Sequence, residues 1–131
     1  GLLALPKTET VYWAATRDSA GQLLDGRCTY HLTGKALDSR WWSVTLYDAE
    51  GYLQANKARI WSFSGASLSP EEAEKGWQVT IAPTRPAGGH WLPSLPDQRF
   101  ELTLRMYNPG PKFMQDPRTA ELPALTKEAC A

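Results

Sequence analysis

The sequence predicts an all-β chain: an antiparallel β-sandwich of jelly-roll type with little helix. Three observations carry that expectation. Two long stretches, one beginning at Trp41 and one at Phe100, alternate apolar and polar residues with a period of two, which is the signature of a half-buried strand. Several shorter segments repeat the pattern, for six or seven short strands in all. Gly- and Pro-containing turns separate them, and only one stretch carries helix-start chemistry. A closed barrel is the alternative way to bury so many short strands.

Taken in order, Leu2 to Leu5 is an apolar lead-in that Pro6 would terminate if helical. Glu9 to Thr16 reads as a strand with Val11, Trp13 and Ala15 on one face, followed by a turn at Arg17-Asp18-Ser19-Ala20-Gly21. Arg27 to Thr33 places Cys28, Tyr30 and Leu32 on one face. In the central stretch Trp42, Val44 and Leu46 oppose Ser43, Thr45 and Tyr47. Asp48-Ala49-Glu50-Gly51 supplies the turn that follows, since Asp can bond nearby backbone and Gly tolerates positive φ. Ser69-Pro70-Glu71-Glu72 predicts a short helix with Ser69 as cap, Pro70 at the first position and Glu72 as reciprocal partner. Gly76 limits it to a turn or two. Trp77 to Ile81 alternates again, and residues 83–96 read as a long Pro/Gly loop carrying His90-Trp91-Leu92-Pro93. In the last strand Phe100, Leu102, Leu104 and Met106 oppose Glu101, Thr103, Arg105 and Tyr107. Residues 112–131 read as a tail packed back on the domain, with one helical turn near Asp116 to Ala120.

The 131 residues suit a single domain, and a hydrophobic share of 42% against 21% charged residues is that of a globular chain. The formal net charge is zero, so the basic footprint of a nucleic-acid binder is missing. No apolar run has the length of a membrane-spanning helix. The start at Gly1 is abrupt, which leads us to expect a preceding targeting or anchoring segment.

Cys28 and Cys130 are the two cysteines. Two unrelated thiols are one reading. The sharper expectation is a disulfide tying the tail to the sheet, closing a loop of roughly 100 residues worth up to about 4–5 kcal/mol by the chain-entropy model. It would imply an oxidising compartment.

Catalytic patterns are weak. Cys28 and His31 are near in sequence, but residues three apart on a strand point to opposite faces. His31 and His90 lack paired metal-ligand spacing, and no cofactor fingerprint is present. The most suggestive polar set is Ser43, Thr45 and Tyr47 beside Glu101, Thr103, Arg105 and Tyr107. It reads either as a solvated sheet face with a cross-strand ion pair or as a concave face that binds an anionic or hydroxylated ligand through Arg105. Six tryptophans suggest a carbohydrate platform. Trp42 and Trp77 belong to the core by their faces, Trp41 lies opposite Trp42, and Trp91 could cover a pocket from its loop. The binding candidates are therefore Arg105, Tyr107, Tyr47, Trp91 and Glu101.

With Trp41-Trp42-Ser43-Val44-Thr45-Leu46-Tyr47-Asp48 followed by Gly51-Tyr52-Leu53, then His90-Trp91-Leu92-Pro93, then Leu102-Thr103-Leu104-Arg105-Met106-Tyr107-Asn108-Pro109, the chain resembles the bacterial domain of unknown function 1214 family. These motifs span much of Tyr30 to Pro111 in order. Family members more often carry Asn where His90 stands. The resemblance implies a jelly-roll-like β-fold, found behind a larger partner domain or nearly alone. Short stand-alone members resemble exported proteins of Gram-negative bacteria with an N-terminal hydrophobic anchor. It implies no activity, cofactor or catalytic residue.

The expected function is a non-catalytic binding or interaction module of the cell envelope, periplasmic or exported and anchored to the inner membrane. Its partner would be a small molecule, a glycan or an envelope protein. The alternative is a hydrolase or lyase acting on a sugar-like or lipid-like substrate through Arg105, Tyr47, Tyr107 and Glu101. A purely structural domain that assembles with itself is a third reading.

Overall fold

The computed structural model describes residues 10–35, 39–53, 56, 58–109 and 123–130. The strands are β1 (Thr10–Ala15), β2 (Cys28–Gly34), β3 (Ser39–Asp48), β4 (Ser62–Ser64), β5 (Trp77–Ala82), β6 (His90–Pro93), β7 (Phe100–Pro109) and β8 (Ala124–Cys130). A 3-10 turn (Gly65–Ser67) and a short helix, α1 (Pro70–Lys75), precede β5. The chain is all-β, and its strands form two four-stranded sheets rather than one closed barrel. Sheet 1 has the order β1-β7-β3-β4 and sheet 2 the order β6-β5-β2-β8.

The two long alternating stretches are the middle of sheet 1. β3 and β7 run antiparallel with Val44 opposite Leu104 and Leu46 opposite Leu102. Their apolar faces turn inward: Trp42, Val44, Leu46, Phe100, Leu102, Leu104 and Met106 are all buried. Tyr30, Leu32, Val79 and Ile81 meet them from sheet 2. The indoles of Trp42 and Trp77 stack across the interface with centroids 4.9 Å apart, and Tyr30 meets Phe100 edge-on at 5.6 Å. Such pairs add to the burial of their large apolar area.

The turn after β3 forms as its residues predict. Asp48 Oδ1 accepts from the backbone N–H of Glu50 and Tyr52, and Gly51 has φ of 90°. Helix α1 carries the expected capping box: Ser69 Oγ accepts from Glu72 N–H, and Glu72 Oε1 accepts from Ser69 N–H. Cys28 and Cys130 are disulfide-bonded and face each other across β2 and β8.

Three expectations need correction. First, His90-Trp91-Leu92-Pro93 is not loop but strand β6, and it pairs parallel to β5, with Val79 opposite His90 and Ala82 opposite Pro93. Adjacent parallel strands normally need a long crossover. Here β6 is so short that residues 83–89 need to retrace only about 10 Å, and Gly89 at φ of 83° assists the reversal. Second, residues 124–130 of the tail lie on the domain as a strand that was not expected, edge strand β8 on β2. Third, the two sheets are not wholly antiparallel, because of the β5/β6 pair. The lead-in at Leu2 to Leu5 and the helical turn near Asp116 to Ala120 lie outside the described residues.

Candidate functional site

The outer face of sheet 1 is built by register. Tyr12 of β1, Arg105 of β7, Ser43 of β3 and Ser64 of β4 form one row across the four strands. Ala14, Thr103, Thr45 and Ser62 form the next, and Tyr107 stands opposite Trp41. Because side chains alternate along each strand, burying Leu102, Leu104 and Met106 obliges Thr103, Arg105 and Tyr107 to share the opposite face.

Arg105 is the centre of that face. Its Nη2 donates to the Tyr47 hydroxyl at 2.6 Å, and Nη1 lies 3.4 Å from Thr45 Oγ1. Its guanidinium carbon lies 5.6 Å from the Tyr12 ring centroid and 5.5 Å from that of Tyr47. These are cation–π distances, favourable for a planar cation. Trp41 and Tyr107 meet edge-on at 5.0 Å beside it. The cross-strand ion pair expected for a merely solvated face is absent here: among the described residues no carboxylate lies within ion-pairing distance of Arg105. Glu101 stands opposite Tyr47, not Arg105.

Four of the five predicted residues thus share this face: Arg105, Tyr107, Tyr47 and Glu101. Trp91 does not join them. It lies on the other sheet, where its indole N–H donates to the Ala82 carbonyl at 2.8 Å and the Arg85 guanidinium covers its ring at 4.6 Å. Tyr12, which the sequence reading left out, belongs with Arg105. Its place on the polar face of a strand was visible, but only the β1/β7 register identifies its neighbour. Ser43 and Thr45 are outward by register yet buried, at 5% and 8% exposure.

A second polar region was missed entirely. A cleft of about 1080 Å³ opens beside α1, walled by Thr33, Lys35, Glu72, Lys75, Gln78 and His90 among others. Glu72 and His90 meet at its side with 2.9 Å between Oε2 and Nε2. The Ser69 backbone N–H, and then His90, hold the Glu72 carboxyl below its usual range. An ionised carboxylate only accepts, so His90 Nε2 carries the proton. Neither Ser nor Cys is among the described walls of this cleft, and the Cys28 sulfur is committed to its disulfide. The Cys28–His31 thiol pairing is therefore closed off. His31 instead contacts Gln78 and Glu128. Among the described residues, no group of three or more His, Cys, Asp and Glu is placed to hold a metal ion, and no helix is long and apolar enough to cross a membrane.

The fold has solved counterparts. The VPA0106 protein from Vibrio parahaemolyticus superposes with a TM-score of 0.78 at 24% identity, over 98% of this chain and 33% of its own length. A putative uncharacterized protein from Burkholderia cenocepacia does so with a TM-score of 0.58 at 18% identity, over 93% of this chain and 30% of its own. The chain therefore spans about a third of each of these structures. No curated protein matches it. The sequence matches the family described as "Protein of unknown function (DUF1214)" over residues 9–111, so the chain belongs to the DUF1214 family.

Proposed function

We propose that this chain is a non-catalytic binding module of the bacterial cell envelope that holds an anionic, hydroxylated ligand on the outer face of sheet 1. The observation that carries this reading is the state of Arg105. Its charge is framed by Tyr12 and Tyr47 and has no described carboxylate partner, while Tyr12 is 60% and Trp41 42% exposed. Tyrosine, tryptophan and arginine together are the residues that dominate binding hot spots. A guanidinium with fixed donors selects carboxylate or phosphate oxygens, and flanking rings suit the apolar faces of sugars. The Cys28–Cys130 disulfide supports an oxidising, exported location.

The experiment is titration with glucuronate and with inorganic phosphate, followed by calorimetry and amide chemical shifts, on the parent chain, Arg105→Ala and Arg105→Lys. The reading expects shifts centred on Thr45, Tyr47 and Arg105. It also expects loss of binding in Arg105→Ala, and partial loss in Arg105→Lys, which keeps the charge but not the planar fork. Equal binding by Arg105→Ala, or shifts confined to the cleft at His90, would refute it. Turnover of a glycoside or ester panel that survives Arg105→Ala would favour the hydrolase reading at another site.

A further inference from the structure

The two flanks of the sandwich are closed differently. On the β4/β6 side, Phe63 packs against Trp42, Trp77 and His90, with centroids 4.8 to 5.8 Å apart. On the β1/β8 side the inward residues Trp13 and Ala15 are only partly buried, and Pro123 precedes β8. A cavity of about 190 Å³ remains between the sheets there, reaching in to Leu32, Val44, Leu102 and Leu104. Its described walls are all apolar.

Such a space is a poor home for water, which needs two to four polar partners. An apolar cavity of roughly 150 Å³ admits a molecule the size of benzene. The pocket is open on one side, and its walls supply dispersion contacts with little polar surface to desolvate. The mouth lies between two edge strands, since β1 borders sheet 1 and β8 borders sheet 2. Trp13 and Ala15 on that border are only partly buried.

We propose that this cavity is a binding site for the end of an alkyl chain. The site is separate from Arg105. It lies between the sheets, whereas Arg105 lies on the outer face of sheet 1. The probes are octanoate, as a free acid, and dihexanoylphosphatidylcholine below its micelle concentration, as a lipid. Binding is read from methyl chemical shifts of Leu32, Val44, Leu102 and Leu104 and from the melting temperature. Saturable shifts of these methyls with either probe support the site, and the probe that binds identifies the source of the chain. Ala15→Leu fills the space; it should raise the melting temperature and weaken binding at least tenfold. Should Ala15→Leu fail to fold, Val44→Ile adds one methyl from β3 and should weaken binding in the same direction. No methyl shift with either probe at saturation, or undiminished affinity in a folded filled variant, would overturn the proposal.

Discussion

Glu72 stands between two partners, with Oε1 on the Ser69 backbone N–H and Oε2 on His90 Nε2. One carboxylate therefore both caps α1 and ties that helix to β6. Its pKa is lowered in the folded chain, first by the Ser69 bond and then by His90. A depressed carboxyl stabilises the fold above its unfolded value and loses that contribution as pH falls through the folded one. Between pH 5.5 and 3, the parent chain should lose more thermal stability than Glu72→Gln. Melting curves across that range check this, and parallel losses in the two proteins would contradict it.

The disulfide closes a separation of 102 residues and holds edge strand β8 on β2. Unfolded, unreduced protein should show no free thiol. Replacing both cysteines by serine should cost up to about 4–5 kcal/mol, measured as a shift in the denaturant midpoint. Hydrogen exchange should rise first in β8, whose buried contact is Leu125.

Tyr30 is fully buried, and its hydroxyl accepts from the Asp25 backbone N–H at 2.9 Å. Burial raises its pKa above the usual tyrosine value. Tyr30→Phe keeps the ring against Phe100 but leaves that N–H unpaired, for a loss of about 1–2 kcal/mol. Urea unfolding of the two proteins measures it, and an unchanged midpoint would show that water replaces the hydroxyl.

Gly26 is a point of close approach. A Cβ there would sit 1.7 Å from the Leu95 carbonyl oxygen, while Gly88 has open space around it. Gly26 also donates to the Gln98 carbonyl and accepts from Ser94 Oγ. Gly26→Ala should cost at least about 3 kcal/mol, and Gly88→Ala should stay within about 0.5 kcal/mol. Denaturant midpoints for the pair give a direct contrast.

What was legible in the sequence follows from how strongly each strand's burial alternates. β7 buries one face cleanly, and β3 alternates apolar with polar residue types even though Ser43 and Thr45 are also buried, so Trp42, Val44 and Leu46 could be assigned to one core with Leu102, Leu104 and Met106 before any coordinates. The capping box was readable because its chemistry is local. β8 was hidden because Thr126, Lys127, Glu128 and Ala129 are all exposed, leaving Leu125 as its buried hydrophobic side chain. β6 was hidden by its length and its proline. Trp91 was misplaced for the same reason: the strand that orients it follows a loop, and its parallel pairing cannot be read from spacing. The Glu72–His90 contact joins a helix to a strand 18 residues on, a relation no periodicity encodes.

The pairing of β7 has a kinetic consequence. Both β1 and β3 lean on it, Trp13 against Leu104 and Val44 against Leu104, and β2 likewise needs β8 from far along the chain. Neither sheet can be finished from neighbouring segments, so most loop-closure entropy is spent before the first rewards arrive. Refolding should take milliseconds to seconds, not microseconds. Until residues 100–109 arrive, β1 and β3 present unsatisfied edges to one another's copies, the stage at which aggregation competes best.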